Sequence, residues 1–507
     1  MSRKSSRLAA LDRDRPGRQT RLDADLVIRP AVVDIGSNTV RLVVYDALRR
    51  NAAAILNEKV QCGLGSRLGE TGRLPAKGIQ MAQRSLVRFN IMAEAMGVTH
   101  MDLIATAAVR DAANGQDFVE ETERRCGRKI TVLSGREEAR LSALGVLSGI
   151  PDAEGIAADL GGGSLEISLV GDGEVEPRVP LPLWPLRLMA HGAADNGAVR
   201  KTVDAALAKC VFLQSCEGQS LYLVGGAWRA FAKTQMKRLR YPLPVIHRYS
   251  LDAKEAAKSA RTIVAMDRKQ LAKMPALASK RRESLPYAVL VMERLIKAAG
   301  PAQVVFSAHG LREGWLQHLL PGEEKKHDPL LAATADCEAR EARRIGIGDA
   351  LHRWTTPLFQ DETEAQTRLR QAACRLSDIG WHDHPDLRGA ESMNRILRMG
   401  LPGTDHPGLA FMAYTVFNRY GETMPKGAMR VVQRLLSDRQ IQRATLLGRA
   451  LRMGYVVSGG VPEILEGTTL LLDGGKPDLI LPDDGSAPAD DQWRSHLSAL
   501  RKAMKSK

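Results

Sequence analysis

The chain has few cysteines and no membrane-length apolar run, and these two absences exclude several classes of protein. Six cysteines occur among 507 residues. They are scattered and form no C-x-x-C pair, which disfavours zinc-binding and thioredoxin-like sites. Scattered thiols are typical of reduced cytosolic proteins, so we expect a cytoplasmic location. No apolar stretch approaches the roughly 20 residues of a membrane-spanning helix, and the basic N-terminus lacks the apolar segment of a secretory signal. We therefore expect no membrane partner.

Familiar catalytic signatures are also absent. The sequence contains no G-x-x-x-x-G-K-[S/T] segment, which disfavours a P-loop enzyme. We find no Ser-His-Asp set, and no cysteine lies in a phosphate loop beside an arginine. Acidic residues are outnumbered, with 58 Asp and Glu against 73 Lys and Arg, for a formal net charge of +15. This excess favours a polyanionic partner, although a solvated basic surface without any partner fits the charge equally well.

The sequence does contain two matched glycine turns. Residues 34–39, DIGSNT, follow one apolar run, and residues 159–164, DLGGGS, follow another. Each segment fits the same order along the chain: a strand that ends in an acidic residue, a glycine turn, a hydroxyl residue and then a second strand. Backbone N–H groups in such a turn converge on an anion, and the acid could hold a metal ion beside it. The repetition predicts a duplicated phosphate-handling fold with a cleft between its halves.

Strands alternate with helices from Val27 to Ser307, which predicts α/β layers. One helix is expected over 198–216, and the charged, proline-bounded segment 322–329 is expected to be a linker. Helical periodicity follows, and two short strands flank Gly474 and Gly475. We predict a basic mobile arm at 1–28, α/β lobes at 29–150 and 151–319, a helical domain at 330–450 and a small α+β C-terminal unit and tail at 451–507.

The residues around the first turn are suited to phosphate. Ser37, Asn38 and Thr39 offer donors, and Arg41 on the following strand can add a charge-assisted contact. An ordinary hairpin with an Asx turn explains this segment equally well. Arg110 lies where a strand meets a helix, so that backbone N–H groups there could face an anion; a surface arginine is the alternative.

The second turn carries more information. Three successive glycines are costly in chain entropy unless backbone conformation or ligand approach requires them. Ser164 can donate to phosphate, and Glu166 should point to the same face of the strand. Asp159 and Glu166 would then flank one site suited to Mg²⁺ or to orienting water. Two unrelated surface acids are the less favoured interpretation.

Residues 133–140 predict the start of a helix. Ser134 is a good N-cap, and Glu137 completes a capping box. Capping explains Glu137 fully but leaves Glu138 unexplained. A carboxylate at Glu138 that projects into the cleft could activate water against a terminal phosphorus.

Six segments, taken in order, resemble the exopolyphosphatase and guanosine pentaphosphate phosphohydrolase family of the actin, sugar-kinase and heat-shock-chaperone superfamily. The resemblance implies an α/β fold with two ribonuclease-H-like lobes around a cleft, followed by a mostly α-helical HD-like domain and a small α+β C-terminal unit. The segments that carry it are residues 34–39, 105–110, 134–140, 159–166, 224–226 and 306–314.

The resemblance implies processive, metal-dependent removal of terminal phosphate from inorganic polyphosphate. The alternatives are hydrolysis of guanosine pentaphosphate and a non-catalytic polyphosphate or nucleotide sensor. Glu138 corresponds to the family's water-activating glutamate, and Asp34 and Asp159 to its metal-side acids; with Glu166 they form the expected Mg²⁺ or Mn²⁺ site. We also expect a homodimer. The expected phosphate contacts are Gly36, Ser37, Asn38, Thr39, Arg41, Arg110, Gly161, Gly162, Gly163 and Ser164.

The helical part departs from the HD pattern in one respect. Ser377 precedes Asp378 where the His-Asp metal pair of HD phosphohydrolases should stand. We therefore expect no working second metal centre, although three histidines remain nearby. A structural or chain-guiding role is expected instead, in which four arginines either line a basic channel or form only a solvated face. These histidines and arginines are His352, His382, His384, Arg368, Arg370, Arg388 and Arg395.

Overall fold

A computed structural model describes residues 28–178, 180–421, 423, 424, 426–486, 488 and 491–505. The predicted basic arm, residues 1–28, lies outside the described residues except for Ile28. The chain divides into two compact units, residues 1–132 and 133–507, which are described separately below. No helix in the part of the chain that the structure describes is long and apolar enough to cross a membrane.

The first unit is built on a five-stranded sheet of order β3-β2-β1-β4-β5. Its central strand pairs antiparallel with β2 and parallel with β4, and its apolar side chains are buried because both faces are covered. The strands are β1 Pro30–Ile35, β2 Thr39–Tyr45, β3 Ala54–Gln61, β4 His100–Ala105 and β5 Ile130–Val132. The helices are α1 Leu68–Thr71, α2 Ala76–Ala95, α3 Ala107–Arg110 and α4 Gly115–Cys126.

The second unit begins with a six-stranded sheet of order β10-β11-β9-β6-β7-β8. Strand β6 pairs antiparallel with β7 and parallel with β9, which repeats the pairing of β1 in the first unit. The strands are β6 Gly155–Leu160, β7 Leu165–Gly171, β8 Glu174–Pro177, β9 Ser220–Val224, β10 Tyr249–Asp252 and β11 Gln303–Phe306.

Helices accompany this second sheet. Leu285–Ala299 forms a helix as the apolar periodicity predicts, and most of its side chains are buried. The helix expected over 198–216 instead ends at Leu207, and Val211–Cys216 is a separate 3-10 helix. The helices are α5 Gly135–Gly149, α6 Pro185–Met189, α7 Gly197–Leu207, α8 Gly226–Arg238, α9 Ala253–Val264, α10 Arg268–Ala272, α11 Leu285–Ala299, α12 Leu311–Leu319 and α13 Gly322–Lys326.

Helix α5 begins where the capping box predicts. Ser134 Oγ accepts a hydrogen bond from Glu137 N, and the Glu137 carboxylate accepts one from Ser134 N. The helix packs on β7, where Ser168 Oγ donates to Ala139 O over 3.1 Å, and on α12. It therefore belongs to the second compact unit, although the predicted lobe boundary at residue 150 places it in the first lobe.

The remainder of the second unit is mainly helical. The predicted terminal strands are present, and Gly474 and Gly475 have φ of 54° and 75°, as the hairpin turn requires. The hairpin and the last helix share one apolar core with the other helices. The elements are α14 Pro329–Glu341, α15 Ile347–Thr355, α16 Glu364–Arg375, α17 Arg388–Arg398, α18 His406–Tyr420, α19 Lys426–Leu435, α20 Asp438–Ser458, α21 Pro462–Glu466, β12 Thr469–Asp473, β13 Lys476–Ile480 and α22 Gln492–Lys505.

Candidate active site

The two glycine turns have the same geometry. Gly36 N donates to Thr39 O over 3.0 Å, and Gly161 N donates to Ser164 O over 3.2 Å. A side chain at Gly161 would meet only ordinary contacts, and its φ lies outside the left-handed region, so backbone conformation and packing do not require glycine at this position. Its role in phosphate binding stays a prediction.

In the first unit, the turn after β4 lies beside the first glycine turn. Thr106 N donates to Ile35 O over 3.2 Å, because β1 and β4 are parallel and end at the same edge. Arg110 ends the short helix α3 that follows this turn. Arg41 Nε donates to Asn57 Oδ1 over 2.7 Å, so that a neighbouring strand orients its guanidinium. The phosphate-binding roles of both arginines stay predictions.

In the second unit, the three predicted catalytic carboxylates lie together. Asp159 and Glu166 are register partners across β6 and β7. Glu166 is only 2% exposed, and Ser164 Oγ donates to its carboxylate. Burial raises the pKa of Glu166 well above its ordinary value, and the nearby charges of Glu138 and Asp159 raise it further. A cation placed here would relieve the repulsion among the three acids.

Helix α5 is tied directly to this cluster. Ser142 lies one helical turn after Glu138, on the same face. Its hydroxyl donates to Asp159 Oδ2 over 2.6 Å. This bond fixes the helix that carries Glu138 to the strand that carries Asp159. Sequence reasoning missed Ser142, although its spacing of four residues from Glu138 was a usable signal.

A group of arginines lies near Asp159. Burial lowers the pKa of Arg229, and the charges of Arg312 and Arg281 lower it further, whereas Asp159 and Glu313 oppose this shift. Arg281 lies against the first residue of α8, since a Cβ at Gly226 would be 2.3 Å from Arg281 Nη2. Sequence reasoning missed Arg281 because it comes from a distant 3-10 helix, Ser279–Arg281. The second unit thus places the acids Glu138, Asp159 and Glu166 near the buried guanidinium group of Arg229.

The donor set fits a divalent cation that is shared with substrate. In the described parts of the chain, no group of three or more His, Cys, Asp or Glu residues is arranged to hold a metal ion. Asp159 and Glu166 supply two adjacent carboxylates, and Mg²⁺ is commonly bound by one or two carboxylates together with substrate phosphates and water. Asp34 lies in the first unit, and its predicted metal role stays a prediction.

The helical part carries an ionic cluster at the HD-like position. Asp378 is 1% exposed. Its carboxylate accepts from Arg343 Nε and Nη2, both at 3.0 Å, and from Arg419 Nη2 at 2.8 Å. Ser377 Oγ lies 2.9 Å from the Tyr455 hydroxyl. Guanidinium groups thus supply the positive charge beside this aspartate.

The arginines expected to line a channel form ion pairs and hydrogen bonds with neighbouring residues. Arg370 is 2% exposed and pairs with Glu362, so the structure corrects its assignment as a channel-lining residue. The others have local partners: Arg368 pairs with Asp328, Arg395 pairs with Glu341, and Arg388 Nε donates to Asp383 O. Among the histidines, the ring of His382 contacts that of Trp381 in a tilted arrangement, and His384 is exposed.

The two sheets, which repeat the same strand pairing and the same glycine turn, define an α/β protein. Residues 43–323 match the model of the Ppx/GppA phosphatase family, and residues 330–505 match that of the exopolyphosphatase C-terminal domain. The chain belongs to the Ppx/GppA phosphatase family.

Relatives with different names match the chain. Retrograde regulation protein 2 of Saccharomyces cerevisiae is 24% identical over 80% of this chain and 74% of its own length. Exopolyphosphatase 1 of Mycobacterium bovis is 27% identical over 58% of this chain and 89% of its own length. A guanosine-5'-triphosphate,3'-diphosphate pyrophosphatase of Aliivibrio fischeri is 26% identical over 35% of this chain and 36% of its own length.

Solved structures share the fold. An exopolyphosphatase from Cytophaga hutchinsonii superposes with a TM-score of 0.51 at 21% identity, covering 56% of this chain and 96% of its own. The Aquifex aeolicus Ppx/GppA family member also has a TM-score of 0.51, at 22% identity, covering 59% of this chain and 99% of its own. These matches support the predicted α/β lobes.

Proposed function

We propose that this protein is an exopolyphosphatase that removes terminal phosphate from inorganic polyphosphate. The observation that carries the proposal is the cluster of Glu138, Asp159 and Glu166 at a glycine turn, with Arg229 and Arg281 beside Asp159 and the following glycine turn. Phosphoanhydride hydrolysis needs an activated water and positive groups that hold the phosphoryl oxygens. The cluster offers both kinds of group.

In the proposed mechanism, Glu138 orients water and accepts its proton as the water attacks the terminal phosphorus. Ser142 holds Asp159, and Ser164 holds Glu166, so these carboxylates stay fixed during attack. Arg229 and Arg281 bind phosphate oxygens. When bound by Asp159 and Glu166, Mg²⁺ or Mn²⁺ would neutralise charge on the leaving oxygen.

The substrate preference is also part of the proposal. The formal net charge of +15 and the relatives named exopolyphosphatase favour long polyphosphate. The guanosine-named relative aligns with only 35% of this chain, so guanosine pentaphosphate is the second substrate to test. We further propose a cytoplasmic homodimer.

A second candidate function is a non-catalytic polyphosphate or nucleotide sensor. It is favoured by the yeast regulatory relative, which aligns with 80% of this chain. The presence of Glu138 within the acid cluster argues against it, because a sensor has no need of a water-activating base.

A substrate panel tests these proposals. Phosphate release would be measured from long polyphosphate, tripolyphosphate, guanosine pentaphosphate and ATP, with Mg²⁺, with Mn²⁺ and with EDTA. We expect the fastest release from long polyphosphate and none with EDTA or in Glu138→Gln. Tight polyphosphate binding without release from any substrate would instead support the sensor.

A further inference from the structure

The end of helix α5 opposite to Glu138 contacts two stacked histidines. The rings of His247 and His309 lie with their centroids 4.5 Å apart and their planes 18° apart. His309 Nδ1 is 3.0 Å from Ser148 Oγ, and His247 Nε2 is 3.2 Å from Gly149 O. The approach is close: a Cβ at Gly149 would lie 2.5 Å from His247 Cε1 and 2.7 Å from His309 Nδ1.

The helical part reaches the same point. Gly403 N donates to Gly149 O over 2.7 Å. His406, the first residue of α18, has Nε2 3.1 Å from His247 O and Nδ1 2.8 Å from the Tyr241 hydroxyl. Gly149 O, the last carbonyl of α5, is therefore hydrogen-bonded both to the Gly403 amide of the helical part and to His247. The backbone of His247 is in turn hydrogen-bonded to His406 of the helical part.

The hydrogen-bond partners identify which ring nitrogens carry protons. His247 donates from Nε2 to Gly149 O and accepts at Nδ1 from Ala308 N over 3.4 Å. His406 donates from Nε2 to His247 O, and its Nδ1 pairs with the Tyr241 hydroxyl, which can donate or accept. The His247 ring is thus neutral, with both nitrogens used. A second proton on His247 would set two donors against each other, at Nδ1 and Ala308 N.

This contact point connects to the acid cluster through one rigid element. Glu138, Ser142, Gly145 and Gly149 follow one another at spacings of four, three and four residues, which place them on one face of α5. Glu138 and Gly149 are about 16 Å apart along the axis. A shift at Gly149 would therefore be transmitted along the helix to the Ser142–Asp159 hydrogen bond and to Glu138.

We infer that His247 and His406 are positioning residues through which the helical part holds α5, and with it Glu138, in register with Asp159. This inference rests on the proposed function for its kinetic tests but has a structural test of its own. It gives the helical part a role in turnover that is separate from guiding the polyphosphate chain.

A dependence on acidity follows from the same geometry. Burial keeps the pKa of His247 well below 6.5, and the neighbouring His309, Arg248 and His406 lower it further. Burial also lowers the pKa of His406, against the opposing charge of Asp405. Three other charged groups lie near this region: Arg248, which pairs with Asp152; Arg368, which pairs with Asp328; and Glu313, whose carboxylate interacts with His309. Acidification that protonates His247 should release the end of α5.

The kinetic test uses the full chain with tripolyphosphate, so that long-chain binding does not contribute. We expect His406→Ala to lower kcat about 10- to 100-fold, since small misplacements of catalytic groups have effects of this size, with KM within twofold. His406→Gln, which can still donate to His247 O, should recover part of the loss. His384→Ala, an exposed histidine of the same helical part, is the matched control and should match wild type.

The dependence of kcat on pH is a second measurement, and a mere loss of side-chain packing at His247 would not change its slope. The acid limb of log kcat should be steeper in wild type than in His247→Gln, because one more group must lose its proton in wild type. An unchanged kcat in His406→Ala, with or without a raised KM, would overturn the inference. Acid limbs of equal slope in wild type and His247→Gln would also overturn it.

Hydrogen exchange keeps the inference testable if the chain hydrolyses none of the substrates or if His247→Gln fails to fold. Amides of residues 145–149 should exchange at least tenfold faster in His406→Ala than in wild type or His384→Ala. Equal exchange in these three proteins would overturn the inference. Failure of the proposed function alone would abolish wild-type turnover and leave the exchange difference in place.

Discussion

Ser142 and Asp159 are joined by a 2.6 Å hydrogen bond from the Ser142 hydroxyl to Asp159 Oδ2. Because Ser142 follows Glu138 by four residues on α5, this bond relates the proposed water-activating glutamate to the proposed metal-side acid. The proposed catalytic arrangement therefore depends on how helix α5 is held against strand β6.

Glu138→Gln should lower kcat about 10²- to 10⁴-fold with little change in KM, because the substitution removes a general base and preserves the shape of the side chain. Steady-state phosphate release from tripolyphosphate measures both constants. Glu137→Gln is the matched control, since Glu137 lies one residue earlier and serves the capping box. Equal losses in both variants would assign the effect to the helix start rather than to a base.

Arg281→Ala should raise KM more than it lowers kcat. If Arg281 binds a phosphate oxygen, its removal costs about 1.5–3 kcal/mol of binding, as for other hydrogen bonds to charged groups. Isothermal titration of a short polyphosphate onto Glu138→Gln, with and without Arg281→Ala, measures this directly. Arg268→Ala removes an arginine whose side chain is 87% exposed and should change nothing; unchanged affinity in Arg281→Ala would remove this residue from the site.

The positions of Glu138 and Arg281 show what the sequence could and could not predict. The position of Glu138 beside Glu166 was predictable because local capping chemistry accounts for Glu137 and leaves its neighbour without a structural role; its role as a base stays a prediction. The position of Arg281 was not predictable, because only tertiary packing brings its 3-10 helix to Gly226. Neither could the sequence predict His247, His309 and His406, since their grouping joins segments more than 60 residues apart.

The fold was also predictable only in part: the strands at the glycine turns could be predicted, whereas an edge strand and the end of one helix could not. Strands β1, β2, β6 and β7 are buried apolar runs that flank the two glycine turns, so the local sequence pattern is enough to predict them. Strand β3 alternates between exposed and half-buried positions at the sheet edge, and this weak signal does not distinguish it from a loop. The helix expected over 198–216 was wrong beyond Leu207, because Cys210 and Leu213 turn back into the core as part of a tighter segment.

Acid should destabilise the helical part through His352. Burial lowers the pKa of this histidine from 6.5 to about 4, and Arg370 contributes; its Nε2 is buried without a hydrogen-bond partner among the residues that the structure describes. The unfolded chain binds the proton first as pH falls, so stability should be lost between pH 6.5 and 4. His352→Gln should lose less stability over this range.

Urea unfolding at pH 7 and pH 4.5 measures this difference. His384→Gln alters an exposed histidine of the same region and should follow wild type at both pH values. The assignment to His352 fails if the loss of stability on acidification is the same in His352→Gln and in wild type.

Asp378→Ala should destabilise the helical part strongly without removing a metal. Asp378 neutralises Arg343 and Arg419 in a buried cluster, and removal of one partner from a buried ion pair typically costs about 3–5 kcal/mol. Asp386→Ala, at an aspartate whose side chain is 87% exposed, should leave the melting temperature unchanged. Elemental analysis of the wild-type chain should find no stoichiometric transition metal bound by residues 330–450, because guanidinium groups already supply the positive charge at Asp378. A tightly bound metal that is lost in Asp378→Ala would contradict this and restore the HD-like metal centre.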